Sequence, residues 1–229
     1  MDRRAQMIRN HLASRGIDDG RVLDAFGRVP REFFVGESLV SRAYEDSALP
    51  IGEGQTISQP YIVALMVQKL MLSANERVLE VGTGSGYAAA ILSLIAAEVF
   101  TIERVPVLAD LARARLAQLG IRNVNVREGD GSLGWPESGP FDAMLVSAAG
   151  PHVPAALKRQ LALGGRLVMP IGVEGRQHLV RLQRLGGDEW HEETLAAVAF
   201  VPLIGEDGFA EAELAHTTGV AREVSRRLS

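Results

Sequence analysis

Three carboxylates and one glycine-rich turn are spaced so that together they could hold a polar cofactor. Glu80 lies just before Gly82-Thr83-Gly84-Ser85-Gly86, Glu103 ends a second apolar run, and Asp130 follows a third. Glycines at such a turn let the backbone approach a ligand closely, and the free amides at the start of a following helix, with its positive dipole end, attract an anionic or polar group. An acid closing the next strand suits a ribose diol, which needs a bidentate acceptor. The third glycine comes one residue too early for the Gly-x-Gly-x-x-Gly pattern of nicotinamide-binding turns. A second chemical centre is the hydroxyl of Ser58 in Gln55-Thr56-Ile57-Ser58-Gln59-Pro60. It reads both as a helix cap and as a group beside free amide donors, where a carboxylate would also be stabilised. Asp46 reads equally as a turn carboxylate and as a residue fixing the loop for substrate entry. His152 is an incidental loop histidine, Glu53 is solvated, and His11, His178, His191 and His216 are too far apart in sequence to suggest a metal site.

These groups need elements to carry them. Arg77–Val81, Val99–Glu103 and Val124 onward read as buried strands, with helical stretches between them, beginning at Tyr87 in the first case. Phe141–Val146 and Arg166–Gly172 read as a fourth and a fifth strand, separated by a short helix from Pro154 to Leu161 closed by Gly164-Gly165. The stretch from His178 to Arg184, the turn Gly186-Gly187-Asp188 and the run from Glu193 to Leu203 read as a terminal hairpin. Ahead of the sheet, residues 2–26 suggest two short amphipathic helices broken around Gly16, with Phe33 and Phe34 pinning them to the core. The stretch 44–61 is polar and broken by glycine and proline, which predicts an irregular and functional loop. Ser58 or Thr56 would cap the helix from Pro60 to Leu72. Strand ends carrying polar groups place a cofactor across the carboxyl edge of a parallel sheet.

Composition sets the bounds. With 229 residues and 47% hydrophobic content the chain suits one α/β domain. A net charge of −4 and scattered basic residues argue against nucleic acid as a partner. There are no cysteines, which excludes disulfides and thiolate metal sites. No stretch is long and apolar enough to suggest a membrane span or a secretion signal. The expectation is a cytoplasmic protein without membrane attachment, of undetermined oligomeric state with a monomer favoured. Its single domain, 1–229, divides into a cap and loop (1–60), a core (61–204) and a tail (205–229), the tail being a loosely packed helix.

Glu80-Val81-Gly82-Thr83-Gly84-Ser85-Gly86-Tyr87 resembles the first motif of S-adenosylmethionine-dependent methyltransferases. Together with Pro30-Arg31-Glu32-Phe33-Phe34-Val35, Ala43-Tyr44-Glu45-Asp46, Gly54-Gln55-Thr56-Ile57-Ser58-Gln59-Pro60-Tyr61, Gly129-Asp130-Gly131 and Phe200-Val201-Pro202-Leu203, it resembles the protein-L-isoaspartate O-methyltransferases. That resemblance runs from about residue 5 to residue 204 and fades beyond. It implies a Rossmann-like fold with a mostly parallel seven-stranded sheet, helices on both faces and an N-terminal helical cap. It implies methyl transfer from S-adenosyl-L-methionine, leaving S-adenosyl-L-homocysteine and using no metal. The acceptor would be the α-carboxylate of L-isoaspartyl residues in damaged proteins or peptides, with D-aspartyl residues a further candidate. By position, Ser58 matches the active-site serine, and Gln55, Thr56, Ile57 and Ser58 the loop over the cofactor. Gly82 and Gly84 match the backbone passing the methionine end, Glu103 the ribose acid, and Asp130 with Gly131 the adenine contact, while Glu80, in the first motif, counts among the cofactor-binding residues. Val146, Ser147 and Ala148 match the edge along which substrate lies; Asp46, read from the residues alone, stays between a turn carboxylate and a residue fixing the loop for substrate entry. Two other readings share the cofactor half: methylation of another carboxylate or small molecule, and non-catalytic cofactor binding.

Overall fold

The structure is a computed structural model that describes residues 2–211. Helix α1 (Arg3–Met7) starts on Asp2, whose carboxylate accepts the amides of Arg4 and Ala5, and its path continues through Ile8–Leu12 and Ala13–Arg15 to a stop at Gly16, where φ is 91°. Helix α2 (Gly20–Arg28) starts on the Asp19 carboxylate. The break at Gly16 falls where the sequence placed it, because the left-handed backbone there costs glycine little. Phe26 and Phe34 both meet Tyr87 edge-on, with centroids 5.9 and 5.4 Å apart, and so hold this cap against the core.

The stretch 44–61 departs from expectation. It contains an antiparallel hairpin, β1 (Leu49–Gly52) with β2 (Gln55–Ile57), whose turn uses positive φ at Gly52, Glu53 and Gly54. Pro50 and the short alternation mask this hairpin in the sequence. Helix α3 (Pro60–Leu70) follows with proline in its first turn. Neither Ser58 nor Thr56 caps it: the Tyr61 amide donates instead to Asp46 Oδ1 at 3.2 Å.

The main sheet is built from β3 (Arg77–Val81), β4 (Glu98–Glu103), β5 (Val124–Glu128), β6 (Phe141–Val146), β7 (Leu161–Val173), β8 (Arg176–Gly186) and β9 (Glu189–Val198). Its order is β5-β4-β3-β6-β7-β8-β9, parallel from β5 to β7 and antiparallel thereafter. Helices α4 (Tyr87–Ser93), α5 (Pro106–Gln118) and α6 (Ala155–Gln160) connect the strands. Two hydrophobic clusters form the core, one containing Val78 and Leu145 with the N-terminal cap, the other Leu79, Phe141 and Leu167. Residues alternate between them along β3, as a strand buried on both faces requires.

Two boundaries are corrected. Strand β7 begins at Leu161, and Gly164-Gly165 lie in an irregularity of its pairing with β6 rather than beyond a helix end. Strand β9 stops at Val198, and the chain then crosses back, with Ala149 N donating to Val201 O at 2.8 Å. Of the tail, 212–229 lie outside the described residues. Residues 204–209 form a short strap in which Ile204 bridges Phe209. Among the described residues no helix is long and apolar enough to cross a membrane.

Candidate active site

Strand order reverses between β3 and β6, and the carboxyl ends of β3, β4 and β6 meet there, which is where open parallel sheets bind ligands. The turn after β3 is pinned from β4: Gly82 N and Thr83 N donate to Ile102 O at 2.9 and 3.3 Å. Gly82 and Gly86 have φ near 90° and Gly84 53°, so the turn follows a path that L side chains rarely adopt. Glu103 completes it, accepting Gly84 N on one oxygen at 2.7 Å and Val105 N on the other at 2.9 Å. Each oxygen keeps a second lone pair for a diol. At the neighbouring strand end, a Cβ on Gly131 would collide with Val81 Cγ1. Only glycine leaves this wall open.

The cleft formed here is lined by Gln55, Thr56, Ile57 and Ser58 from the hairpin, and by Glu80, Gly82, Gly84, Glu103 and Gly131 from the sheet edge. All but one of the residues assigned to the cofactor therefore converge on it. The exception is Asp130, whose Oδ1 accepts Ser132 N and Oγ and whose Oδ2 accepts Glu206 N at 2.7 Å. Instead of lining the cleft, Asp130 starts a single helical turn and anchors the strap, while Leu203 and Ile204 supply cleft wall.

A second cavity lies beside the first, lined among others by Ala48, Gln59, Ile62 and the segment Ala197–Val201. Three hydroxyl residues, Thr56, Ser58 and Ser147, line both cavities. Among the described residues none of these hydroxyls forms a side-chain hydrogen bond, so all three can serve a ligand. Ala148 lines the first cavity, whereas Val146 is fully buried in the core and lines neither. The alternation of β6 turns Val146 away from the edge. Asp46 likewise lines neither cavity. Its carboxylate holds Arg15 Nη1 at 2.6 Å, Gln59 Nε2 at 2.8 Å and the Tyr61 amide, so it braces the hairpin against α3.

Burial dominates the electrostatics. Glu80 is 0% exposed; its Oε2 accepts the Thr101 hydroxyl at 2.5 Å and its Oε1 has no partner. Loss of solvent raises its pKa to about 8, opposed by the Thr101 hydrogen bond and aided by the nearby Glu103 charge. Burial also raises the Tyr87 phenol. Arg31, fully buried over the Tyr87 ring, is pushed down by burial and donates to the carbonyls of Ala43 and Ser47.

Sequence reasoning missed the Thr83–Thr101–Glu80 hydroxyl chain, in which Thr83 and Thr101 are 2.6 Å apart, although the alternation of β4 places Thr101 beside Glu80. It also missed the strap. His152, read as incidental, meets Asp207 Oδ1 at 2.9 Å, and that hydrogen bond lowers the Asp207 pKa. Gly205 and Gly208 were the available signals: a side chain at either would run into Asp130 or Leu203.

A parallel sheet with a glycine turn at its switch point, an acid closing the next strand and an apolar cap define a Rossmann-like methyltransferase. The model of the protein-L-isoaspartate(D-aspartate) O-methyltransferase family matches residues 2–208, and the chain belongs to that family. It is 58% identical to protein-L-isoaspartate O-methyltransferase 1 of Rhodopseudomonas palustris strain HaA2, over 90% of this chain and 85% of the relative. It is 57% identical to the Methylorubrum populi enzyme, over 90% and 97%. A solved protein-L-isoaspartate O-methyltransferase superposes with a TM-score of 0.82 at 30% identity, covering 90% of this chain and 67% of that one. A Plasmodium falciparum structure, described as a protein-L-isoaspartate O-methyltransferase in complex with S-adenosyl-L-homocysteine, gives 0.76 at 28%, covering 87% and 97%.

Proposed function

We propose that this protein transfers a methyl group from S-adenosyl-L-methionine to the α-carboxylate of L-isoaspartyl residues in damaged proteins and peptides. The observation that carries this reading is the junction of two cavities at Thr56, Ser58 and Ser147. A donor cleft and an acceptor cavity sharing a wall of free hydroxyls are what a direct transfer between two ligands needs. The residues fit the donor: open glycine positions give a nucleoside and amino-acid tail room, Glu103 retains lone pairs for a diol, and the orphaned Glu80 oxygen suits a cation.

S-adenosyl-L-methionine supplies a methyl carbon already activated by its sulfonium. The acceptor carboxylate is itself the nucleophile, so the protein has only to align it. Ser58 orients the carboxylate by donating a hydrogen bond at the junction, with Thr56 and Ser147 on either side. The hairpin and the strap exclude water. Holding both reactants in line is worth on the order of 7–11 kcal/mol, whereas one neutral hydrogen bond contributes only about 0.5–1.5 kcal/mol. Alignment by the whole junction therefore outweighs any single hydroxyl. The methyl ester leaves the site, and attack of the neighbouring backbone amide nitrogen on its carbonyl expels methanol and closes a succinimide.

Labelled S-adenosyl-L-methionine, incubated with paired aspartyl and isoaspartyl peptides, tests the reading. Label on the isoaspartyl peptide alone is the expected result. Equal labelling of both, or of neither, would overturn it.

A further inference from the structure

The two acids of the donor cleft are held in opposite ways. Both oxygens of Glu103 already accept backbone amides, so neither is without a partner before any ligand arrives. Glu80 has one hydroxyl donor on Oε2 and nothing on Oε1, although it is fully buried and its residue lines the cleft. Among the described residues, the groups around it bring no compensating cation. Strand β4 presents Thr101 and Glu103, the glycine turn Thr83, α4 the neutral and buried Tyr87, and α3 the apolar Val63. The hairpin adds uncharged Gln55, Thr56 and Ser58, and the one cationic residue on the cleft wall among the described residues, Arg104, reaches outward to Glu211 at 3.5 Å. A buried carboxylate without a cation is costly and takes up a proton instead.

We propose that Glu80 is a charge-selecting residue for the methyl donor: protonated in the cofactor-free protein, it releases its proton when the cationic donor enters, and thereby favours the sulfonium over the neutral thioether of the product. The inference rests on the donor assignment made above. The proton passes to solvent, and the positive charge brought by the ligand replaces it beside Oε1. A carboxyl titrating at about 8 is roughly nine-tenths protonated at pH 7. Donor binding at that pH therefore releases close to one proton, and below about pH 7 the donor affinity rises by nearly tenfold per pH unit. The product carries one positive charge fewer, so its binding releases less, and the preference for donor over product widens as pH rises.

Isothermal titration calorimetry of S-adenosyl-L-methionine and S-adenosyl-L-homocysteine from pH 6 to pH 8.5, in buffers of different ionisation enthalpy, counts these protons directly. The expected result is release of about one proton with the donor at pH 7, absent in Glu80→Gln, whose donor-over-product preference no longer changes with pH. Thr101→Val, which removes the hydroxyl that favours the charged form, is expected to move the transition to higher pH; it provides the same test if Glu80→Gln fails to fold. Donor binding with no proton release in the parent, or with undiminished release in Glu80→Gln, would overturn the proposal while leaving the donor assignment standing. Failure of the parent to bind either nucleoside would overturn both.

Discussion

The donor and acceptor halves of the site are held by different kinds of contact. On the donor side the groups that face the ligand are strand ends and turn amides, and their supports come from the next strand: Ile102 O holds Gly82 and Thr83, and Glu103 holds Gly84. On the acceptor side the hairpin that carries Thr56 and Ser58 has no place in the main sheet, and side chains from elsewhere fix it. Asp46 ties it to α3 and to Arg15, while Arg31 holds the carbonyls of Ala43 and Ser47 ahead of it. A site built this way can keep a rigid donor cradle while the acceptor wall varies, because among the described residues the two halves share little beyond the junction hydroxyls and Val201.

The largest effect that would sharpen this contrast is one of pH on the donor side. The folded Glu80 carboxyl keeps its proton up to about pH 8, whereas the unfolded chain loses it near 4.5. Its contribution to stability is therefore fully present below about 4.5 and is lost as pH rises toward 8. Calorimetric melting of the cofactor-free protein should show the parent losing stability relative to Glu80→Gln across that window, by as much as a few kcal/mol. A parallel pH dependence in both proteins would remove Glu80 as the cause.

Next in size is Glu103→Ala, which orphans two amides at a cost of about 1–3 kcal/mol each. Equilibrium binding should show the donor held on the order of 100-fold more weakly, with the KM for peptide little changed. If peptide KM moved as far as donor affinity, the two halves would not be separable.

Asp46→Ala is expected to do the reverse. Loss of a cap acceptor costs about 1–2 kcal/mol, which lowers Tm by roughly 3–6 °C for a chain of this size. Steady-state kinetics should show a higher KM for the isoaspartyl peptide with donor affinity unchanged.

The smallest effect is expected from Ser58→Ala, a fall in kcat of roughly two- to twelvefold for one lost neutral hydrogen bond. Full activity on an isoaspartyl peptide would remove Ser58 from the aligning group.

The same contrast explains how much the sequence disclosed. The donor side was legible because its signals are local: period-two apolar runs, three glycines, and acids at or near a strand end. The acceptor side depends on partners far apart in the chain. Asp46 meets an amide 15 residues on, and Asp18 and Asp19 donate their amides to Gln68 some 50 residues on, neither of which any periodicity reports. The hairpin itself hid behind Pro50 and a turn in which Glu53 adopts a positive φ. Asp130 was correctly read as a strand-end acid, but its partner is Glu206, beyond the point where any pattern continued. Val146 lines neither cavity, its neighbours Ser147 and Ala148 being the ones that reach them.

Strand β9 is the last in the order of the main sheet, and among the described residues no strand pairs with its outer row of backbone amides and carbonyls. Such an edge recruits extended chains, and damaged proteins expose extended chains. Along β9 the side chains of Glu189, His191, Glu192 and Thr194 are exposed, and Glu193 is drawn toward Lys69 and Arg181 at 3.7 Å each. Ala197 is also exposed, but the charged residues of this fringe discourage strand addition. Their charge keeps the edge from becoming a template for assembly, and exchanging Glu189 and Glu192 for valine would turn the same edge into a nucleation surface.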